Sequence, residues 1–281
     1  MPLSIDRPRA LDDASRAAVR ALIGTIAAQD GRDPLSDQAL TRLGSTDVEH
    51  AVAVDGDDVI GYAQLDGDSL EVAARDTAAG PLLDAFAGRD VLVWTHGEHS
   101  RLVAPLTERG FDRRRELYQL RRPLTDRPEP GEVPGEVEIR PFVVGADEDA
   151  WVAINAAAFA HHPEQGSWTR ADLAAREDED WFDTDGFLLA WRGDELVGFH
   201  WTKIHPDGAG EVYVLAVAPQ AQGLHLGSVL LLRGLASLYD RGVREVLLYV
   251  DGDNSTAVRL YERYGFGKHD LDVQWRAPTA G

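Results

Sequence analysis

Short apolar runs bounded by turn residues recur in the same order in two stretches of the chain. Val52-Ala53-Val54 and Asp57–Gln64 predict two strands around an Asp-Gly turn, and Phe187–Trp191 and Asp194–Trp201 predict two more around Arg192-Gly193. Each pair is followed by strand, helix, strand and helix. Each series closes on Gly and an apolar residue, Gly110-Phe111 in the first and Gly265-Phe266 in the second. Glycine just past a helix end, followed by an apolar side chain, is the signature of a Schellman stop. The repeated order predicts a duplicated domain. Gly61 to Gly110 is 49 residues and Gly198 to Gly265 is 67, so the second copy carries extra material in its middle.

Between the copies, Pro123–Gly135 holds four of the fourteen prolines. Such a stretch continues neither a helix nor a central strand. The expected organisation is therefore an N-terminal domain over 1–122, a proline-rich linker over 123–135 and a C-terminal domain over 136–281.

The candidate chemistry lies in the second copy. Glu211–Ala218 reads as a strand stopped by Pro219, and Val229–Tyr239 is apolar at helical spacing. The loop between them contains Gly223 and Gly227. A glycine loop leading from a strand into a helix aims backbone N–H groups and the positive end of the helix dipole at one place, where a phosphate can sit. The same loop also reads as a plain tight turn. A second strand, Glu245–Val250, precedes a helix capped by Asn254 or Ser255. Tyr261 lies two turns into that helix and by itself reads as a half-buried packing residue. Thr169 with Asp172 predicts a capping box at the start of another helix.

Composition narrows the function. The chain has 281 residues, 44% hydrophobic and 27% charged, with a net charge of −20. That much negative charge opposes binding to nucleic-acid phosphates and to anionic membranes. The absence of cysteine excludes disulfides, thiolate metal sites and a cysteine nucleophile. His161-His162 has no His-Glu-x-x-His context, so no metal is expected. No apolar run approaches membrane-spanning length and the N-terminus lacks signal-peptide features. A cytoplasmic monomer with a small-molecule substrate, and neither nucleic acid nor membrane as partner, is the expectation.

Taken together, Val214–Pro219, Gln222–Gly227, Leu248–Asn254 and Ala257–Phe266 resemble the acetyl-CoA core of the GNAT family of N-acetyltransferases. The resemblance implies an α/β fold built on a mixed sheet, here as tandem GNAT domains. It also implies acetyl-CoA as co-substrate. Its pantetheine arm would pair with Leu215, Ala216 and Val217. Its pyrophosphate would lie on Gln222, Gly223, Leu224, His225, Leu226, Gly227 and Ser228, and Asn254, Ser255, Thr256, Ala257, Val258 and Arg259 would form a further CoA segment. His225 stands where the family's loop has its middle glycine. The first copy lacks the two-glycine loop after Glu71–Arg75, so its CoA site is expected to be degenerate.

The segments Asn155–Thr169, Trp181–Phe187 and Gly198–Pro206, with Gly210–Val214 after the last, resemble the two-domain branch of that family, which acetylates the cysteinyl amine of cysteinyl-glucosaminyl-inositol. On that resemblance the acceptor-binding positions are Asp37, Glu164, Lys203, Glu211 and Tyr249, and the catalytic pair is Glu211 as base and Tyr261 as acid. An α-amine has a pKa of about 7.7–8.0, so a carboxylate supplies enough general-base help. The alternatives are a GNAT enzyme for another small amine or a protein N-terminus, and a non-catalytic acyl-CoA-binding module.

Overall fold

The computed structural model describes residues 3–161 and 165–278. The elements of the first copy are β1 (Ser4–Asp6), α1 (Asp13–Asp30), α2 (Asp37–Thr41), β2 (Glu49–Asp55), β3 (Asp58–Asp66), β4 (Ser69–Ala74), α3 (Asp76–Asp84), β5 (Leu92–Thr95), α4 (Val103–Glu108) and β6 (Asp112–Pro123). Those of the second are β7 (Glu138–Pro141), α5 (Glu148–Ala158), α6 (Arg170–Glu177), β8 (Phe187–Arg192), β9 (Glu195–Ile204), β10 (Gly210–Val217), α7 (Leu226–Asp240), β11 (Glu245–Asp251), α8 (Ser255–Arg263) and β12 (Gly267–Arg276).

Two compact units result. One comprises Met1–Tyr118, Asp251–Asp253 and Asp270–Gly281, and the other Gln119–Val250 and Asn254–His269. This division differs from a cut at the proline-rich segment, which falls inside the second unit. The physical reason lies in the sheet of the first unit. Val273–Arg276 of β12 pair antiparallel with Thr95–Leu92 of β5. Val273 and Trp275 are buried in the first unit's core with Leu70, Val93 and Leu106.

Both units use one pattern. β1 to β4 pair antiparallel in sequence order, and β4 then pairs parallel with β5 across α3. In the second unit β7 to β10 pair antiparallel, and β10 pairs parallel with β11 across α7. A parallel step needs a crossover, and the helix supplies it. The repeated glycines have a steric cause. A Cβ at Gly61 would stand 2.7 Å from Leu82 Cδ1 of α3, and one at Gly198 would stand 2.9 Å from Leu230 Cδ1 of α7. In both copies the crossover helix packs closely on the strand at its glycine, where a Cβ would also meet Ala78 Cβ at 2.9 Å or Ala216 O at 3.2 Å. The Schellman stops also match, with Phe111 N donating to Leu106 O and Phe266 N to Tyr261 O, each at 3.1 Å. The predicted capping box of Thr169 and Asp172 is formed.

The second unit's core is aromatic. Phe187 stacks on Trp201 at 4.3 Å and on Phe142 at 4.5 Å, with Trp151 edge-on to Phe187, Phe199 and Trp201. On the opposite face of β9, the fully buried His200 donates Nδ1–H to Leu230 O at 2.8 Å, and a Cβ at Gly234 would overlap its ring. Burial lowers the His200 pKa from 6.5 to about 4. Between those values the unfolded chain binds the extra proton and the folded protein does not. Stability is therefore expected to be full above about pH 6.5 and to fall by about 3 kcal/mol as the pH drops toward 4. Urea unfolding at pH 7 and pH 4.5 checks this, and His200→Gln should flatten that part of the dependence.

Candidate active site

The site begins where β10 and β11 meet. Their parallel pairing joins Gly210 to Val246 and Glu211 to Leu247, and among the described residues no further rung is recorded although both strands continue. On its other side β10 stays paired with β9 up to Val217, with one extra residue, Tyr213, between the partners of Thr202 and Trp201. Such a bulge bends its strand and strengthens its twist. Beyond the paired start lies a cavity of about 1040 Å³. It is lined by Leu215–Val217, by the loop from Gln222 to Ser228 apart from Leu224, and by the cavity side of α8 from Asn254 to Arg263.

The loop shapes the cavity wall. Gly223 has φ +87°, and His225 has φ 56°, the one non-glycine residue with positive φ among those described. His225 is the N-cap of α7, so a left-handed residue turns the chain into a 15-residue helix whose N-terminus faces the cavity. This accounts for glycine as the more usual occupant. His225→Gly is expected to fold normally. His225→Val should lower stability by about 1–2 kcal/mol, because a β-branched side chain tolerates left-handed backbone poorly; chemical denaturation measures both. Across the cavity Asn254 caps α8 by accepting from Ala257 N at 3.1 Å. Tyr261 is 7% exposed, its ring edge-on to Phe266 at 5.7 Å, and burial pushes its hydroxyl pKa well up from 10.

Polar groups gather at the start of β10. Glu211 is 8% exposed and lies opposite Lys203 of β9 and Leu247 of β11 in the ladders. With a period of two along a strand, Tyr249 falls on the same face as Leu247 and Glu211. The Glu211 carboxylate meets His205 Nε2 at 2.7 Å. Lys203 Nζ lies over the rings of Trp181 at 4.7 Å and Tyr213 at 5.8 Å. The Tyr249 hydroxyl accepts from Gln119 Nε2 at 2.7 Å. Four residues along β10, roughly 13 Å, separate Glu211 from Leu215.

Comparison with known proteins places this arrangement. Residues 151–266 match the Acetyltransferase (GNAT) family. A mycothiol acetyltransferase of Geodermatophilus obscurus is 46% identical, the alignment covering 98% of each chain. One of Streptomyces coelicolor is 44% identical over 99% of this chain and 96% of its own. The chain belongs to the mycothiol acetyltransferase family. It is an N-acetyltransferase with the GNAT fold. Among solved structures, a GCN5-related N-acetyltransferase from Sphaerobacter thermophilus superposes with a TM-score of 0.72 at 24% identity, covering 98% of this chain and 97% of that one. A tandem GNAT protein from the clavulanic acid biosynthesis pathway superposes at 0.67 and 16% identity, over 100% and 99%. These two likenesses concern the fold.

Within this enzyme, thirteen of the sixteen expected CoA positions line the cavity. Leu224, Ser255 and Val258 do not, Leu224 being 41% exposed to solvent. Lys203, Glu211 and Tyr249 share one face of neighbouring strands. Glu164 lies outside the described residues, as does the side chain of Asp37, whose backbone opens α2 in the first unit. Three further residues adjoin these positions. Arg263 lines the cavity one turn beyond Arg259, as i,i+4 spacing signals. Phe159 closes the cavity from the end of α5. His205 is joined to Glu211, and the Trp-Thr-Lys-x-His-Pro segment carried that signal.

Among the described residues no helix is long and apolar enough to cross a membrane, and no group of three or more His, Cys, Asp or Glu side chains is placed to hold a metal ion.

Proposed function

We propose that the enzyme transfers the acetyl group of acetyl-CoA to the cysteinyl amine of cysteinyl-glucosaminyl-inositol, giving mycothiol and CoA. The observation that carries this reading is identity above 40% along nearly the whole chain with the mycothiol acetyltransferases. The geometry supports it. A cavity of about 1040 Å³ suits a long, thin co-substrate. The β11-side edge of Leu215–Val217 offers backbone groups to the pantetheine amides, and the N-terminus of α7 faces the pyrophosphate.

Glu211 is the general base. It removes a proton from the amine, whose lone pair attacks the thioester carbonyl. Tyr261 keeps its proton, because burial raises its pKa further above that of a thiol. It therefore serves the leaving sulfur as a hydrogen-bond donor rather than as a full acid. Asp37 and Glu164 complete the acceptor set, and Lys203 orders hydroxyl oxygens of the sugar and inositol.

The first unit is the non-catalytic partner, and the enzyme works as a cytoplasmic monomer. Within the first unit, the cavity lined by Val72, Ala74, Trp94 and His96 measures about 40 Å³. Titration calorimetry should therefore give one acetyl-CoA per chain, and two equal sites would remove that assignment.

The deciding experiment is steady-state CoA release with cysteinyl-glucosaminyl-inositol against simple amines and aminoglycosides. A kcat/KM at least about 10³-fold higher for the cysteinyl compound, about 4 kcal/mol, is expected. Equal rates would leave a general amine acetyltransferase, and no turnover with any acceptor would leave a binding module.

A further inference from the structure

We propose that His205 is a positioning residue for Glu211, holding carboxylate oxygen Oε2 at 2.7 Å from its Nε2 so that Oε1 faces the acceptor amine. The inference rests on the reading of Glu211 as the base.

Three observations carry it. The Glu211 side chain is 10% exposed, and this is its one hydrogen bond among the described residues. A buried carboxylate with a single fixed donor presents its other oxygen in a defined direction. Next, His205 is itself fixed. Its N–H donates to Ala209 O at 2.8 Å, its carbonyl accepts from Gly208 N at 2.9 Å, and Gly208 takes φ +88°. Asp207 Oδ1 accepts from Ala209 N at 3.0 Å. This tight turn joins the end of β9 directly to the start of β10, so one short hairpin sets both members of the pair. Finally, the neighbouring cation does not take the role. Lys203 lies over the Trp181 and Tyr213 rings and makes no ion pair with Glu211 among the described residues.

During transfer the amine nitrogen forms the bond to the acetyl carbon, and its proton passes to Glu211 Oε1, directly or through a water. The carbon–sulfur bond breaks, its electron pair leaves on the CoA sulfur, and the thiolate takes a proton from solvent. The Nε2 proton of His205 stays on the ring throughout. The other groups facing Glu211 are Lys203 on β9, Tyr213 on β10 and Tyr249 on β11. Arg176 and Glu179 act on Tyr213 from the end of α6.

The test compares wild type, His205→Ala, His205→Gln and Glu211→Gln. It measures kcat at about pH 7 with saturating cysteinyl-glucosaminyl-inositol, together with the KM for acetyl-CoA. His205→Ala should lower kcat by on the order of 10- to 100-fold at unchanged acetyl-CoA KM, the usual effect of losing the partner that orients a working group. His205→Gln keeps an N–H donor and should restore most of kcat. A His205→Ala enzyme within about twofold of wild type, or a His205→Gln enzyme no faster than His205→Ala, overturns the proposal. If His205→Ala fails to fold, a His205→Gln enzyme more than about tenfold below wild type overturns it. A harmless Glu211→Gln would instead sink the reading of Glu211 as the base, whatever the His205 variants do.

Discussion

Glu211→Gln is expected to cut kcat by on the order of 10²–10⁴-fold, about 3–5 kcal/mol in barrier, while leaving fold and acetyl-CoA affinity in place. Glutamine has the shape of glutamate and can still accept from His205 Nε2, so the hairpin between β9 and β10 keeps its contact. It cannot take the amine's proton. The acceptor is mostly an ammonium at neutral pH, and without a base only its free-amine fraction reacts. The groups that line the cavity, from Leu215 through the α7 loop to Arg263, do not include Glu211, so the KM for acetyl-CoA should stay within about threefold. Steady-state CoA release at pH 7 and pH 9 measures the effect. The deficit should shrink at high pH as the amine loses its proton unaided. A constant deficit across that range would point to lost binding of the acceptor and not to lost base catalysis.

Trp275→Ala should cost about 3–5 kcal/mol, although Trp275 stands near the end of the chain, where substitutions are ordinarily tolerated. Its side chain is 4% exposed in the core of the first unit. The indole N–H donates to Thr95 Oγ1 at 3.0 Å, and the Arg113 guanidinium lies 5.3 Å from the ring centroid. Removing the ring opens a cavity in the core that Trp275 shares with Val93 and Leu106, and takes from the buried Thr95 hydroxyl one of its two hydrogen bonds. Total stabilities are usually about 5–15 kcal/mol, so this is a large share for one residue. Hydrogen exchange should show protection lost first in β2 to β5. Loss concentrated in β8 to β10 would contradict the assignment of the C-terminal strand to the first unit.

Much of the fold was readable because it rests on local signals. The hairpin glycines, the Schellman stops, the Thr169 capping box and the strand–loop–helix around Gly223 are each set within a few residues. So is most of the cavity wall, since a loop and one helix face supply it. The division into units was less readable. Pro123–Gly135 looks like a boundary by composition, but Val273–Arg276 belong with β5, and that pairing spans most of the chain. The left-handed backbone at His225 was also hidden, since a histidine gives no warning that its position requires positive φ. The contact of His205 with Glu211 emerges only when the turn at 206–209 brings the two strands together.

The place of β12 bears on how the protein is made. Thr95 and Trp275 are 180 residues apart in sequence. At about 5–20 residues per second a ribosome needs on the order of 10–40 s to span that interval. Until then the edge of β5 that receives Val273–Arg276 is an open strand edge in the nascent chain. Such an edge invites pairing with other chains. The half of the protein synthesised first is therefore completed only after Val273–Arg276 have emerged. Deleting Val273–Arg276 would burden the first unit and spare the residues of α7 and α8 that line the cavity.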